Sequence, residues 1–310
     1  MNYRVDADSE GKSIRDFMKN KLGLSSALCK HLKFIENGIT LNGAHATVRA
    51  ILKEGDILSL ALEDTESPQT LSPVDLPLSI VYEDDDLVVP NKPSDMPTHP
   101  SRNHYDDTVA NALAYRYREL GSPFVFRPVN RLDRNTSGAL LIARNRVAAG
   151  FLSDALRRGE IKKTYLALLC GTPAVRQGEI ETYMKRTAES IIVRENCSAD
   201  EGGDYALTQY RVIAATDKYS LVLARPITGR THQLRVHFAG IGCPILGDDM
   251  YGESCELISR HALHASSLEF PLPSTKERIK INAPLPQDMR ELTESLFGET
   301  ILEGLYEIEI

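Results

Sequence analysis

Residues 129–145, VNRLDRNTSGALLIARN, set one carboxylate, Asp133, among Arg127, Arg131, Arg134, Arg144 and Arg146 and then run into an apolar stretch. The apolar ALLIA reads as a buried strand. Thr136, Ser137 and Gly138 supply a turn in which two hydroxyls and a permissive glycine can hold the backbone tightly. Asp133 is therefore expected on a braced loop just before a core strand, a place from which loops often carry chemistry. A carboxylate ringed by guanidinium groups suits a site that a polyanion must approach without repulsion, and phosphates fit that description. The same residues fit an ordinary surface turn with solvated charges equally well, and the rest of the chain has to separate the two.

The 310 residues allow a large core plus one smaller module, at the usual size of roughly 100 to 200 residues per domain. No apolar run approaches the roughly 18 residues that span a bilayer, so membrane insertion is not expected. The opening MNYRVDADSEGK lacks the apolar centre of a secretory signal, which points to the cytoplasm. The five cysteines form no CxxC pair and no spaced ligand set, so neither zinc nor a disulfide framework is indicated. A net charge of −7 argues at first against a nucleic-acid partner. Its distribution argues the other way: residues 12–35 carry six lysines or arginines against one acid, and residues 125–165 carry nine against three. Residues 63–107 hold eleven acids against two bases, so the chain is electrically polarised, with basic stretches available to a polyanion.

Residues 63–78, EDTESPQTLSPVDLPL, combine acids, hydroxyl residues and prolines with little apolar periodicity and read as a linker. Before them, KSIRDFMKNKLG and SSALCKHLKFIENG read as two short amphipathic helices, Ser25 capping the second and Gly38 stopping it. ITLNGAHA gives a strand and an Asn42-Gly43 turn, and KEGDILSLAL gives a turn and a closing strand. From about residue 79 onward, strands such as KTYLALLCG and YSLVLARP alternate with helices such as the one near VAAGFLSDALRRG, without a regular βαβ repeat. The expected class is α/β (α+β) with a mixed, largely antiparallel sheet. Pro90, inside LVVPNK, argues for a strand end or an edge. Leu234, Phe238 and Ile241 fall at helical spacing, with Thr231 as cap and Gly242 as stop. His232, His237, His261 and His264 invite a metal reading, and HxxH at 261–264 would put two rings on one helical face; no carboxylate or cysteine completes a ligand set, so no metal is expected.

The Asp133 segment, NKPSDMPTHPS at 91–101, IKKTYLALLCG at 161–171, TGRTHQLRVHFAGIGCPILGDDMYG at 228–252 and RHALHASSLEF at 260–270 together closely resemble the RluA family of RNA pseudouridine synthases. The RLDxxTSG string followed by GRTHQLRVH carries most of the specificity, and the resemblance spans about residues 79–285. The order of a basic helix pair, NG turn and GD turn over residues 12–62 resembles the small RNA-binding domain named for the fourth protein of the small ribosomal subunit, although Ser26-Ala27 stands where that domain often has a serine-arginine pair.

The resemblance implies the pseudouridine synthase fold over residues 79–310, an RNA-binding domain over 1–62, and isomerisation of uridine in structured RNA without a cofactor. It implies Asp133 as the catalytic aspartate, Tyr165 as the aromatic residue against the target base, Arg235 as the cation paired with the aspartate, Leu263 as an apolar wall, and Arg131 as the group that displaces the flipped base. Read without the family, Tyr165 is a core strand aromatic. Arg230, ahead of a helix N-terminus, is expected to meet phosphate or structure. Asn130 stands where many relatives have histidine and is expected to donate a hydrogen bond that braces the loop, near the substrate. Asp95 stands where the family's KPxG loop has glycine, and aspartate is among the better substitutes at positive φ. Ribosomal RNA is the first expectation for substrate and transfer RNA the second. With no long exposed apolar helix, a monomer is expected. The rival reading is a ribosome-assembly factor that keeps the fold and grips RNA without turnover.

Overall fold

The computed structural model describes every residue except Glu63, Thr65, Glu66, Gln69, Ile191 and Glu309. Residues 1–62 build a layer of their own. Strand β1 (Asn2–Arg4) leads to helix α1 (Ile14–Asp16), which widens into a π-helical stretch over Phe17–Lys21, and helix α2 (Ser26–Leu32) follows. Strands β2 (Ile39–Leu41), β3 (Ala44–His45) and β4 (Ile57–Leu60) complete a four-stranded sheet in the order β1-β4-β2-β3. Ser25 caps α2 as expected, its Oγ accepting from the Leu28 amide at 3.2 Å. Gly38 does not stop that helix, which has already ended; it lets the chain pass under the Leu32 carbonyl, where a Cβ would collide. Asn42 (φ 50°) and Gly43 (φ 81°) form the expected turn. Ile14, Phe17, Met18, Leu32, Leu52 and Leu58 form a core separate from the rest of the chain.

The larger body is one twelve-stranded mixed sheet. Its strands are β5 (Ser79–Glu83), β6 (Leu87–Lys92), β7 (Arg127–Pro128), β8 (Ser137–Ala139), β9 (Ile142–Ala143), β10 (Lys162–Cys170), β11 (Gln177–Arg186), β12 (Arg194–Cys197), β13 (Asp204–Ala215), β14 (Tyr219–Pro226), β15 (Leu263–Pro271) and β16 (Arg278–Asn282). They lie in the order β12-β11-β13-β14-β10-β15-β8-β6-β9-β7, with β16 on β15 and β5 on β6. Helices α3 (Val109–Glu119), α4 (Arg146–Arg157), α5 (Gln233–Gly240) and α6 (Gln287–Phe297) cover it. Leu113, Tyr117, Phe238 and Met289 enter one core, and Ala148, Leu152 and Ala155 of α4 enter another with Leu141 and Phe270. Apolar helix faces thus close over a sheet whose central strands are apolar.

Pro90 corrects an expectation. It lies in β6, an interior strand, but at a point where both flanks are irregular: the β5 register slips between Ile80 and Tyr82, and the opposite side falls in the gap between β8 and β9. A missing amide hydrogen costs little where the ladder is already broken. The ALLIA run is likewise split into β8 and β9, with Ala139 to Ala143 fully buried. Residues 261–264 are also not helical. His261 precedes β15 and donates to or accepts from Thr136 Oγ1 at 2.9 Å, while His264 lies within β15.

Among the described residues, β8 and β15 form the one parallel pairing of the sheet, with Ser137 opposite His264 and Gly138 opposite Ala265. Gly138 has φ 114°, and a Cβ there would lie 2.6 Å from the Ala265 amide nitrogen. Ser137 Oγ donates to His264 Nδ1 at 2.9 Å, because Nε2 of that ring donates to the Ala283 carbonyl at 3.1 Å. The described part of the expected linker is tied down rather than free. The Phe124 amide donates to Ser67 Oγ, and Asn111 Nδ2 donates to the Ser72 carbonyl. Asp64 is gripped by Arg127 at 2.7 Å and Arg146 at 3.0 Å.

Two expectations follow. Gly138→Ala should lower the unfolding free energy by about 3 kcal/mol or more, through positive φ and backbone overlap together, read from chemical denaturation; a loss under about 1 kcal/mol would mean the strands can part without cost. Burial pushes both His264 and His237 down to about 4. Their folded values lie below the unfolded value of about 6.5, so the stability they carry is complete above that pH and drains as pH falls toward about 4. The urea midpoint should fall over that window, and His264→Gln should flatten the fall; an equally steep fall would exclude His264 as a source.

Candidate active site

Asp133 sits on the loop between β7 and β8, and four consecutive backbone carbonyls of that loop are each held. Thr98 Oγ1 donates to Leu132 at 3.0 Å, the Thr136 amide to Asp133 at 3.1 Å, Lys92 Nζ to Arg134 at 2.8 Å and the Arg260 guanidinium to Asn135 at 3.1 Å. Lys92 is 1% exposed and also donates to the Pro93 and Met96 carbonyls, which clamps the 93–96 loop against the aspartate loop. Burial lowers its pKa to about 7, against the attraction of Asp133. Asp95 has φ 63°, as the family glycine at that place would allow, and pairs with Arg134 at 2.5 Å. The carboxylate of Asp133 stays partly open, at 29% side-chain exposure, so the brace acts on its backbone and leaves the side chain available.

Arg235 is presented by α5. Its Nε and one terminal nitrogen donate to the two oxygens of Asp248 at 2.7 Å each, and the remaining nitrogen lies 3.8 Å from Asp133. Burial works against this charge, but the Asp248 hydrogen bonds and then the fields of Asp248 and Asp133 raise the arginine above its ordinary value. Asp248 is fully buried, and the same bidentate pairing holds its carboxyl below the usual range despite burial. The Tyr251 ring lies against the guanidinium at 5.0 Å. Its hydroxyl accepts from the Arg194 amide at 2.9 Å and meets His232 Nδ1 at 2.8 Å. With that oxygen already accepting, its own hydrogen is directed at Nδ1, and the neutral imidazole carries its proton on Nε2, the nitrogen 4.0 Å from Asp133. His232, at φ 59°, is the residue before α5; Thr231 is not the cap. Ile241 is exposed at the far end, while Leu234 and Phe238 are buried.

Tyr165 and Leu263 reach the site through sheet register. Gly138, Ala265 and Tyr165 stand in one row across β8, β15 and β10, and β15 carries one extra residue, Ser266, opposite the step from Thr164 to Tyr165. Both side chains are buried, and burial followed by the Asp133 charge pushes the Tyr165 phenol up, so it stays protonated. All seven residues expected from sequence, Asn130, Arg131, Asp133, Tyr165, Arg230, Arg235 and Leu263, line one cavity of about 600 Å³. That volume suits a small-molecule-sized group such as one nucleotide.

Several details differ from expectation. Asn130 braces the loop by accepting, not donating: its Oδ1 takes the Leu141 amide at 2.7 Å. Arg230 Nε donates to the Tyr205 carbonyl at 2.9 Å, which ties it to β13. The arginine cluster around Asp133 is mostly structural. Arg127 and Arg146 hold Asp64, Arg144 donates to the Asp84 carbonyl and lies 4.9 Å from the Tyr117 ring, and Arg134 pairs with Asp95. Among the described residues, Arg131 alone of the five has no partner. Asp248 and Tyr251 were not singled out from sequence, and His232 was considered there only as a metal ligand, a reading that was set aside. Asp248 and Asp249 are adjacent and alike in the string, and only the turn after α5 buries the first and exposes the second.

The family model described as RNA pseudouridylate synthase matches residues 86–240. The Bacillus subtilis protein "Uncharacterized RNA pseudouridine synthase YjbO" is 38% identical over 272 residues, covering 88% of this chain and 95% of that one. The ribosomal large subunit pseudouridine synthase D of Vibrio cholerae is 36% identical over 277 residues, covering 84% of each. The solved structure of human RNA pseudouridylate synthase domain containing 1 is 33% identical, with a TM-score of 0.57 over 70% of this chain and 87% of that one. A family match over half the chain and relatives alike over most of its length lead to one assignment: the chain belongs to the RNA pseudouridine synthases, in the RluA family.

Proposed function

We propose that Asp133, Tyr165 and Arg235 carry out the isomerisation and that the RNA is ribosomal. The observation that carries the first part is the convergence in one cavity of a half-open carboxylate, a guanidinium 3.8 Å from it and a buried aromatic face. The reaction breaks the bond from ribose C1′ to uracil N1, turns the base, joins C1′ to C5 and releases the C5 proton, while N1 takes up one proton in its place. Nothing is oxidised or reduced. Asp133 would serve either by attacking the sugar or by taking a proton from it. Arg235, anchored on Asp248, leaves one nitrogen to hold the carboxylate in place. Tyr165 offers its ring to a base extruded from the RNA stack, a step that costs a few kcal/mol, and its phenolic oxygen would take the C5 proton after the new bond forms, as the resemblance suggests. Arg131, exposed beside Asp133 and unpartnered among the described residues, fits the role of displacing and replacing the flipped base. Leu263 walls the pocket, and Arg230 and Asn130 shape its rim.

The ribosomal substrate is supported by the Vibrio cholerae relative, whose name assigns it to the large ribosomal subunit. Residues 1–62 are read as a module that adds RNA affinity. Arg15, Lys19 and Lys33 all lie near enough to Cys29 to act on it electrostatically, and Phe34, next to Lys33 in the chain, is 79% exposed. Cations flanking an open aromatic ring are what a single-stranded RNA segment needs. No helix of the described residues is long and apolar enough to cross a membrane. The reading is of a monomer working in the cytoplasm.

The test is release of label from C5-tritiated uridine in unmodified ribosomal and transfer RNA. Wild type should release it from ribosomal RNA and Asp133→Asn should not; release by the variant would sink the assignment of Asp133, and release from transfer RNA alone would overturn the substrate. Asp248→Asn should lower kcat by about 100-fold with a smaller change in KM, because it unseats Arg235 without touching RNA. Wild-type kcat in a variant that remains folded by circular dichroism would show that Arg235 needs no anchor.

A further inference from the structure

Five cations line the cavity, and three of them are spoken for: Arg235 by Asp248, Arg134 by Asp95, and Arg230 by the Tyr205 carbonyl with Asp204 at 3.6 Å. The other two, Arg131 and Lys163, have no hydrogen-bond or ion-pair partner among the described residues. They differ in setting. Arg131 is exposed, whereas Lys163 is half-buried at the start of β10, two residues before Tyr165. Its ammonium lies over Gly229: a Cβ built there would have Lys163 Nζ, 3.6 Å away, as its one neighbour within 4 Å. Thr228, Gly229 and Pro226 line this end of the cavity with it.

A half-buried ammonium with no counter-ion is a cost that the folded protein carries. Burial lowers its pKa, and no acidic group lies close enough to offset that. Lys163 sits at the Gly229 side of the cavity, and the ion-pair distances of Asp133 run to Arg235 and His232 rather than to this lysine. A uracil ring stacked on Tyr165 over Asp133 leaves its sugar-phosphate flanks to reach the cavity ends. We infer that Lys163 is a substrate-binding residue that takes a backbone phosphate of the RNA next to the target uridine, the cavity supplying the desolvated cation and the RNA its missing counter-ion. The inference rests on the reading of this cavity as the uridine site, and it assigns the recessed cation to phosphate rather than to the base.

The experiment compares wild type, Lys163→Met and Lys163→Arg for binding of an unmodified ribosomal RNA transcript across a salt series, for tritium release, and for thermal unfolding without RNA. Lys163→Met should weaken binding about tenfold at low salt and make the plot of log affinity against log salt shallower by about 0.7, one contact to a single strand. KM should rise with kcat nearly unchanged, Lys163→Arg should recover most of the slope, and the RNA-free melting temperature of Lys163→Met should match or exceed wild type, since an uncompensated charge has gone. An unchanged salt slope, or a lower melting temperature with unchanged RNA binding, would overturn the assignment and make the lysine structural. A drop in kcat at unchanged KM would overturn it in favour of a role at the base. If the wild type bound RNA but released no label, the isomerase reading would fail while the salt slopes would still decide the role of Lys163.

Discussion

The backbone of Gly138 touches that of Ala265, and the catalytic cavity depends on that contact. One half of the sheet, β5 to β9, brings the Asp133 loop; the other half, β10 to β14, brings Tyr165; β15 lies between them. Its parallel pairing with β8 is short, so it has little ladder to hold it, and the hydroxyl and imidazole of Ser137 and His264 supply what the ladder does not. Because Gly138, Ala265 and Tyr165 share one row, a slip of one residue in either pairing would turn Tyr165 to the other face of the sheet. A side chain at 138 would wedge the halves apart at the point where Asp133 and Tyr165 are brought together.

Around this seam the charges form a chain of obligations. Asp248 holds Arg235, Arg235 leans toward Asp133, and Tyr251 and His232 close the ring behind them. Asp248 and Arg235 are buried, and either charge would be costly alone. Placing the guanidinium between two carboxylates of unequal exposure settles which one is structural: Asp248, fully buried, takes both strong hydrogen bonds, and Asp133 keeps an open face. The same division runs through the arginines of the signature segment. Four of them hold the body together through Asp64, Asp84, Asp95 and the Tyr117 ring, and one stays available.

Much of the site was legible in the string. Asp133, Tyr165, Arg235 and Leu263 were identified by family resemblance, and all four meet in one cavity. Local signals also read correctly at the Ser25 cap, the Asn42-Gly43 turn and the positive φ of Asp95, though not at Gly38 or Thr231, where the helix ends lie one or more residues away. Other errors fell where distant chain segments override a local rule. Pro90 looked like a strand end because its missing amide is a local fact, but two irregular neighbours make an interior place for it. HxxH at 261–264 has helical spacing, yet pairing with β8 and β10 makes the chain extended from Leu263.

The sequence by itself determined the class of fold, through composition and periodicity, and membership of the family, through strings that lie within a few residues of one another; Asp133, Tyr165 and Arg235 are assigned from those strings by resemblance alone. The tertiary structure decided which charges are free. That Arg127 and Arg146 are spent on Asp64, that Arg235 is shared between Asp248 and Asp133, and that Lys163 is left without a counter-ion follow from contacts between residues 13 to 102 positions apart. Electrostatic interactions act through distance and burial, and neither is written in the order of the residues.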